Sequence, residues 1–244
     1  MSQENDTCAF VFDLDGTLID SLRVSDKIEE ALFARYNIEK TPELMEELKD
    51  ESLRILTGEN QKNLGLKLMW SIFKILGLRF TQRLRALLIA GKIYKEEIEK
   101  VPLFPRTRDV FEVLDNKSIS YTIATTSSAE EVDQRLSRFP KFYKKFDGLV
   151  VSRSSVDNLK PAPDQIKLAA KIMDKPLSKC VMVGDMESDI LMGKKVGATT
   201  IGVCTGFLDK ERFSEVNPDF ILDSVADIPA KINDIIEKVN STEN

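Results

Sequence analysis

The chain contains no histidine among its 244 residues. This absence excludes Ser-His-Asp and Cys-His catalysis, imidazole metal ligands and proton transfer by imidazole. Any acid–base chemistry near neutral pH must therefore come from carboxylates, lysines, tyrosines, cysteines or metal-bound water.

Cysteine is also scarce, because only Cys8, Cys180 and Cys204 are present, far apart and each in or beside an apolar run. This number and spacing exclude a disulfide framework and a zinc cluster, so buried free thiols are predicted. With 42% hydrophobic residues, a chain of this length can fold around its own apolar core.

Long apolar runs are missing as well. No stretch of about 18 uncharged apolar residues occurs, so no transmembrane segment is predicted. Residues Met1–Thr7 lack the basic and apolar regions of a secretory signal, which predicts a cytoplasmic protein. The net charge of −5 argues against general nucleic-acid binding, so no nucleic-acid partner is expected.

What the chain does contain is an alternation of β-branched apolar runs with helical patterns. Strands are predicted at Cys8–Phe12, Ile119–Ala124, Gly148–Val151, Cys180–Val183, Thr199–Val203 and Phe220–Leu222. Helices are predicted at Thr107–Leu114, Ala129–Phe139, Asp164–Met173, Glu187–Val196 and Val225–Val239. This order indicates an α/β fold, with a Rossmann-like parallel sheet covered by helices on both faces.

One long segment, from about residue 21 to residue 100, carries helical periodicity without a convincing strand. We therefore predict a catalytic core formed by residues 1–20 and 101–244, and an all-helical cap domain formed by residues 21–100 and inserted after the first strand. In a parallel sheet, ligands bind at the carboxyl ends of the strands. The residues that follow each predicted strand are thus the candidates for chemistry.

Acids, hydroxyls and one lysine follow the predicted strands. Asp13 and Asp15 come after the first strand, with Gly16 allowing a sharp turn; Thr125 and Thr126 follow the second. Lys160 lies on a proline-rich loop before a helix, and Asp185 and Asp189 follow the fourth strand. Capping and turn formation explain most of these residues singly, but not the first pair of acids. Together they favour Mg²⁺ and a phosphate group, and hence phosphoryl transfer.

The order of these motifs resembles the haloacid dehalogenase (HAD) superfamily, in its phosphoglycolate phosphatase-like branch with a helical cap. The motifs are Asp-Leu-Asp-Gly-Thr-Leu from Asp13, the strand-end threonine Thr125, Lys-Pro-Ala-Pro-Asp from Lys160 and Gly-Asp-x-x-x-Asp from Gly184. The resemblance covers about Ala9–Val203. The first and last motifs are specific, whereas the threonine and the lysine are persuasive only in combination.

The resemblance implies a role for each motif residue. Asp13 is the implied nucleophile that forms an aspartyl-phosphate, and Asp15 the implied general acid and then general base. Thr125 and Lys160 would hold phosphate oxygens, with the amides of Gly16 and Thr126 as further donors. Lys160 would also screen Asp13. Since true dehalogenases of this superfamily lack an acid two residues after the nucleophile, the resemblance disfavours dehalogenation.

The resemblance also implies a Mg²⁺ cofactor. Its ligands would be the Asp13 carboxylate, the backbone carbonyl of Asp15 and the Asp185 carboxylate, with Asp189 completing or orienting the set. The ion would neutralise the repulsion between the aspartate nucleophile and an incoming phosphate.

Charge is segregated within the predicted cap. Residues 52–95 contain nine bases and one acid, Glu59, together with many apolar side chains. We favour a solvated basic face over two alternatives. The alternatives are attraction of an anionic substrate and contact with an anionic membrane surface.

The leading hypothesis is a Mg²⁺-dependent phosphatase that hydrolyses a phosphate monoester of a small metabolite through an aspartyl-phosphate. A phosphosugar mutase of the same superfamily is the first alternative, disfavoured by a cap without histidine. A non-catalytic module recruited to an anionic membrane through the basic apolar cap is the second, disfavoured by the intact set of acids. The sequence does not identify the substrate. It also leaves open whether the protein is a monomer or a homodimer.

Overall fold

A computed structural model describes residues 8–56 and 64–241, with the side chain of Leu64 left out. Residues 1–7, Glu59 and Lys62, which enter the predictions above, lie outside the described residues. The chain divides into two compact units. One comprises Met1–Asp20 and Pro102–Asn244, and the other comprises Ser21–Val101. The assignment of these units as catalytic core and cap stays a prediction.

The first unit is built around a six-stranded sheet in which every pair of neighbouring strands is parallel. Its strands are β1 (Ala9–Phe12), β2 (Ser120–Ala124), β3 (Val150–Val151), β4 (Cys180–Gly184), β5 (Thr199–Val203) and β6 (Phe220–Leu222). Their order across the sheet is β3-β2-β1-β4-β5-β6. The predicted α/β fold with a parallel sheet is confirmed.

In the described part of this unit, seven helices connect or follow the strands. They are α5 (Thr107–Asn116), α6 (Ala129–Leu136), α7 (Pro140–Tyr143), α8 (Asp164–Ile172), α9 (Glu187–Lys194), α10 (Lys210–Val216) and α11 (Ile228–Ser241). The predicted helix Ala129–Phe139 ends three residues early, because Pro140 begins the next helix and holds Phe139 outside the helical region. The predicted strand from Gly148 is shorter for a similar reason, since Gly148 has a positive φ of 70°.

The two faces of the sheet bury different kinds of side chain. Alternate residues of β1 point to opposite faces, as pleating requires. Ala9 and Val11 lie in an aliphatic cluster with residues of α8 and α9. Phe10 stacks on Phe12, which contacts Phe111 of α5, and this ring joins further aromatic rings from β2 and α7. Both faces of the sheet are therefore covered by helices.

The described part of the second unit contains helices and no strand. These are α1 (Leu22–Tyr36), α2 (Pro42–Leu56), α3 (Leu64–Ile75) and α4 (Phe80–Glu97), followed by a short 3₁₀ turn. The Tyr36 hydroxyl of α1 donates to the Gln82 carbonyl of α4 at 3.0 Å, and Ser71 of α3 donates to Glu51 of α2. Among the described residues, no helix combines the length and the apolar character needed to cross a membrane.

Candidate active site

The sheet topology brings the ends of β1, β2 and β4 together. The chain builds outward from β1 to β2 and β3, then crosses to β4 on the other side of β1. Such a reversal opens a crevice at the carboxyl ends of the strands. Asp13, Thr125 and Asp185 are the first residues after these three strands. The Asp13 amide donates to the Val183 carbonyl at 2.8 Å, which fixes the start of the loop after β1 against β4.

A buried lysine bridges two of the predicted site carboxylates. The Lys160 Nζ lies 2.6 Å from Asp13 Oδ1 and 2.6 Å from Asp189 Oδ1. The side chains of Lys160 and Asp189 are each only 2% exposed. Asp189 also accepts a hydrogen bond from the Met186 amide at 3.1 Å, which caps the first turn of α9. Asp189 thus positions Lys160, a contact that the sequence analysis did not foresee.

Asp185 is held by contacts on several sides. The Thr17 hydroxyl donates to its Oδ1 at 3.3 Å. A Cβ on Gly16 would lie 2.4 Å from Asp185 Oδ2, and one on Gly206 would lie 1.7 Å from the same atom. The Thr205 hydroxyl, next to Gly206 in the chain, donates to the Gly16 carbonyl at 2.6 Å. This hydrogen bond links the loop that contains Gly206 to the loop that contains Gly16. The Asp185 carboxylate therefore occupies space that only glycine leaves open.

Burial changes the ionisation of this cluster. Desolvation, aided by the charges of Asp189 and Asp15, raises the pKa of Asp13 to about 7 despite the opposing effect of Lys160. The pKa of Asp185 is also raised well above its usual value, by desolvation first and then by Asp13 and Asp189. Desolvation alone would lower the pKa of Lys160, but Asp13 and Asp189 raise it above its usual value. The cluster therefore carries more negative charge than one lysine can balance when every carboxyl is ionised.

Asp15 points to a different partner. Its Oδ2 accepts hydrogen bonds from Arg135 Nη1 at 2.6 Å and from the Ser127 hydroxyl at 2.9 Å. Arg135 Nη1 also lies 2.6 Å from the Ser127 oxygen, and the arginine is 5% exposed. This network joins Asp15, on the loop after β1, to Ser127 on the loop after β2 and to Arg135 of α6. The sequence analysis missed both Ser127 and Arg135.

The predicted phosphate donors differ in their surroundings. The Thr125 hydroxyl accepts from the Ser127 amide at 3.1 Å and keeps its own hydrogen for donation. Its carbonyl accepts from the Gln165 side chain at 2.7 Å, which fixes this loop to α8. Thr126 is exposed. The Gly16 amide donates to the Ile19 carbonyl at 3.0 Å, so it already has a partner inside its own turn.

Comparison with known proteins places the chain in a family. The family model described as haloacid dehalogenase-like hydrolase matches residues 10–203, which carry all four motifs. The chain belongs to the haloacid dehalogenase-like hydrolases. The resemblance predicted from the motifs is thereby confirmed, as is the expectation that the chain is an enzyme.

Relatives within this family include pyrophosphatases. The chain is 25% identical over 224 residues to Pyrophosphatase PpaX of Oceanobacillus iheyensis, covering 92% of this chain and 96% of that relative. It is 30% identical over 122 residues to Pyrophosphatase PpaX of Anoxybacillus flavithermus, covering 49% of this chain and 55% of that relative. The second match therefore spans about half of each chain.

Solved structures of the family share the fold. A HAD family hydrolase from Deinococcus radiodurans, crystallised with bound phosphate and sodium, gives a TM-score of 0.75 at 16% identity, covering 95% of this chain and 97% of that chain. A predicted phosphoglycolate phosphatase from Haemophilus somnus gives 0.71 at 21% identity, covering 93% and 98%. At these identities the likeness establishes the fold.

The residues of this family member fit a magnesium ion. Carboxylate oxygens of Asp13, Asp185 and Asp189 all lie within 4.8 Å of one another. Buried carboxylates this close repel one another when they are ionised, and a divalent cation relieves that repulsion. Carboxylate oxygens are also the ligands that Mg²⁺ prefers.

Proposed function

We propose that this phosphatase hydrolyses a phosphate monoester of a small metabolite through an aspartyl-phosphate on Asp13, with Mg²⁺ as cofactor. The observation that carries the proposal is the buried Asp13–Lys160–Asp189 bridge beside Asp185, at the carboxyl edge of the sheet. Lys160 holds one Asp13 oxygen in place, which leaves the carboxylate oriented for attack on phosphorus.

The proposed reaction has two steps. Asp13 attacks the phosphorus in line, and the bond between phosphorus and the leaving oxygen breaks as Asp15 gives that oxygen a proton. Asp15 then accepts a proton from a water molecule, which attacks the phosphorus and releases phosphate from Asp13. With no histidine in the chain, carboxyl groups carry out both proton transfers.

The remaining residues of the site bind and orient. Lys160 and the Thr125 hydroxyl would hold phosphate oxygens, and the exposed Thr126 would add its amide. The ion would be held by the Asp13 and Asp185 carboxylates and the Asp15 carbonyl, with Asp189 orienting the set, and it would lower the repulsion between phosphate and carboxylates. The Gly16 amide, as a donor to phosphate, would first have to leave the Ile19 carbonyl.

The proposal concerns small phosphorylated substrates acted on in the cytoplasm. The pyrophosphatase relatives suggest inorganic pyrophosphate as one substrate to test. The solved structure of a predicted phosphoglycolate phosphatase, which shares the fold, suggests phosphoglycolate as another. Both are small anions that the cluster of Lys160 and a metal ion would attract.

Phosphate release from a panel tests the proposal. The panel would contain inorganic pyrophosphate, phosphoglycolate, sugar phosphates and para-nitrophenyl phosphate, each with Mg²⁺ or with EDTA. We expect metal-dependent release that Asp13→Asn abolishes and Asp20→Asn, in the same strand-end segment, retains. Isomerised sugar phosphate without release would support a mutase instead. Release that survives in Asp13→Asn would contradict the proposal.

A further inference from the structure

Exposed apolar side chains of the described residues are concentrated in the helical unit. Five of the six large hydrophobic residues that are exposed lie in α3 and α4, and the sixth is Ile172 of α8. Three of them, Phe80, Leu84 and Leu88, are 64%, 46% and 74% exposed. Burying three such side chains in an apolar environment would be favourable, so their exposure calls for an explanation.

These three residues form one stripe. They are spaced by four along α4, so they lie one above another on a single face of the helix. Three exposed bases flank them on the same helix. Arg85 lies three residues before Leu88, Lys92 lies four residues after it, and Lys95 lies about one turn beyond Lys92. We call Phe80, Leu84, Leu88, Arg85, Lys92 and Lys95 the basic apolar stripe.

The segment that carries the stripe has charges of one sign. Residues 64–95 contain seven bases and no acid, within a protein of net charge −5. The first acid after them, Glu96, lies 3.9 Å from Lys92 with both side chains mostly exposed, a pair that neutralises little in water. The surface thus joins exposed hydrocarbon to a local positive charge.

We propose that the basic apolar stripe docks on the surface of an anionic lipid bilayer. A helix lies in the membrane interface when an apolar face enters the acyl boundary and flanking lysines and arginines meet anionic headgroups. The stripe supplies both features on exposed positions of one helix. A small anionic substrate would use the bases but would leave the leucines in water.

Charge also argues against a second copy of the chain as the occupant. A two-fold dimer would place the same stripe on both sides of the interface, so bases of one copy would lie against bases of the other. Like charges brought together in this way cost binding energy, and residues 64–95 supply no acid to relieve it.

The chain carries its own reporter for this proposal. Trp70 of α3 is the single tryptophan, and its ring lies 5.8 Å from the Phe80 ring, centroid to centroid. The Arg83 guanidinium lies 5.6 Å from the same indole ring. Insertion of the stripe into lipid would therefore change the surroundings of the only indole in the protein.

Vesicle titration followed by Trp70 fluorescence tests the proposal. We expect a blue shift, and quenching by brominated acyl chains, with vesicles containing phosphatidylglycerol and neither with pure phosphatidylcholine. Added salt should weaken the binding. Replacing Arg85, Lys92 and Lys95 by Gln should weaken it on the order of 100-fold, taking about fivefold for each base. Leu84→Gln with Leu88→Gln should weaken it by at least about tenfold.

Ile172→Gln provides the matched control, because it removes an exposed apolar residue of the other unit and should bind like the unaltered protein. Circular dichroism would check that each variant is folded. Equal binding to both kinds of vesicle, or binding unaffected by either stripe variant, would overturn the proposal. An absence of vesicle binding at low salt would also overturn it. So would analytical ultracentrifugation that shows a dimer of the unaltered protein and a monomer of the Leu84→Gln, Leu88→Gln variant. These readouts do not depend on the phosphatase chemistry.

Discussion

At the scale of single residues, the division of labour among carboxylates follows from their partners. Asp13 and Asp189 share the buried Lys160, whereas Asp15 contacts Arg135 and Ser127. Two aspartates separated by one residue are therefore held by different cations. This separation lets the nucleophile and the proton-transferring group keep distinct positions, as the two roles require.

Arg135 is a positioning residue for Asp15, and its loss should show in the leaving-group dependence. Arg135→Ala should lower kcat for an alkyl phosphate on the order of 100-fold, because an alkoxide must be protonated as it leaves. For para-nitrophenyl phosphate, whose leaving group needs little protonation, we expect a loss of about tenfold or less. Comparing the two substrates on one preparation gives the measurement.

The comparison separates positioning from a general loss of structure. A lower fraction of active enzyme would reduce both rates equally, and this outcome would contradict the assignment. Arg135→Lys should restore part of the alkyl phosphate rate, since a cation then remains beside Asp15. Arg138→Ala serves as the matched control, because Arg138 lies three residues further along the chain, beyond the end of α6, with its guanidinium over the Phe139 ring.

Residue patterns alone predicted much of this site. The motifs identify Asp13, Thr125, Lys160 and Asp185, because each directly follows a buried strand or precedes a helix in the chain. Arg135 gave no such signal. It lies inside an ordinary amphipathic helix, and its contact with Asp15 spans 120 residues of sequence. Only the packing of α6 against the sheet edge brings the two together.

At the scale of elements, the loop after β5 shapes the site from outside the recognised motifs. Thr205 donates to the Gly16 carbonyl, and Gly206 leaves no room for a Cβ beside Asp185. The Asp185 carboxylate is therefore packed between this loop and the turn that follows β1. The strands themselves could be predicted from their apolar runs, but this loop has no pattern that marks it.

Gly206→Ala should displace Asp185 and reduce catalysis. A Cβ at this position would meet Asp185 Oδ2 at 1.7 Å, far inside contact distance, so the carboxylate or the loop must move. Displacements of this kind cost on the order of 100-fold in rate, which steady-state phosphate release would measure.

Gly91→Ala is the control for that substitution. A Cβ on Gly91 would meet no atom within 4 Å. Gly91 lies in the middle of α4, where alanine stabilises a helix more than glycine does. We expect this variant to keep the full rate and to gain up to about 1 kcal/mol of stability. Full activity in Gly206→Ala would show that the loop does not fix Asp185.

At the scale of the whole molecule, the acidic cluster links folding to pH and to metal. The pKa of Asp13 is raised to about 7, and that of Asp185 is raised well above its usual value. The folded state therefore holds protons that the unfolded chain releases near pH 4. Without metal, this contribution to stability is present below that pH and is lost as the pH rises through about 7.

Magnesium should reverse this trend, because it binds the deprotonated carboxylates. Thermal unfolding should show a Tm gain from Mg²⁺ on the order of 5 °C at pH 8, and a much smaller gain at pH 5. Asp185→Asn should remove most of the gain, whereas Asp234→Asn, on the exposed side of α11, should keep it. A gain that is equal at both pH values would contradict a metal site on these residues.

The overall architecture was predictable because both strand and helix signals alternate along the core. For the second unit, the sequence could predict only that it is helical. Its composition predicts helices and a basic stretch, but a sequence pattern does not tell which apolar residues of α4 pack inside and which stay exposed. Ala86 and Ala90 are buried on that helix while the larger Leu88 is exposed, the reverse of what side-chain size suggests.

The account rests on Asp13 as the residue that accepts the phosphoryl group, and trapping that intermediate tests it most directly. Asp15→Asn should form the aspartyl-phosphate from para-nitrophenyl phosphate but hydrolyse it slowly, since the general base is missing. After acid quench, peptide mass spectrometry should find one added phosphoryl group on the peptide that contains Asp13, dependent on Mg²⁺. A phosphoryl group on another residue, or turnover with none trapped on Asp13, would contradict the account.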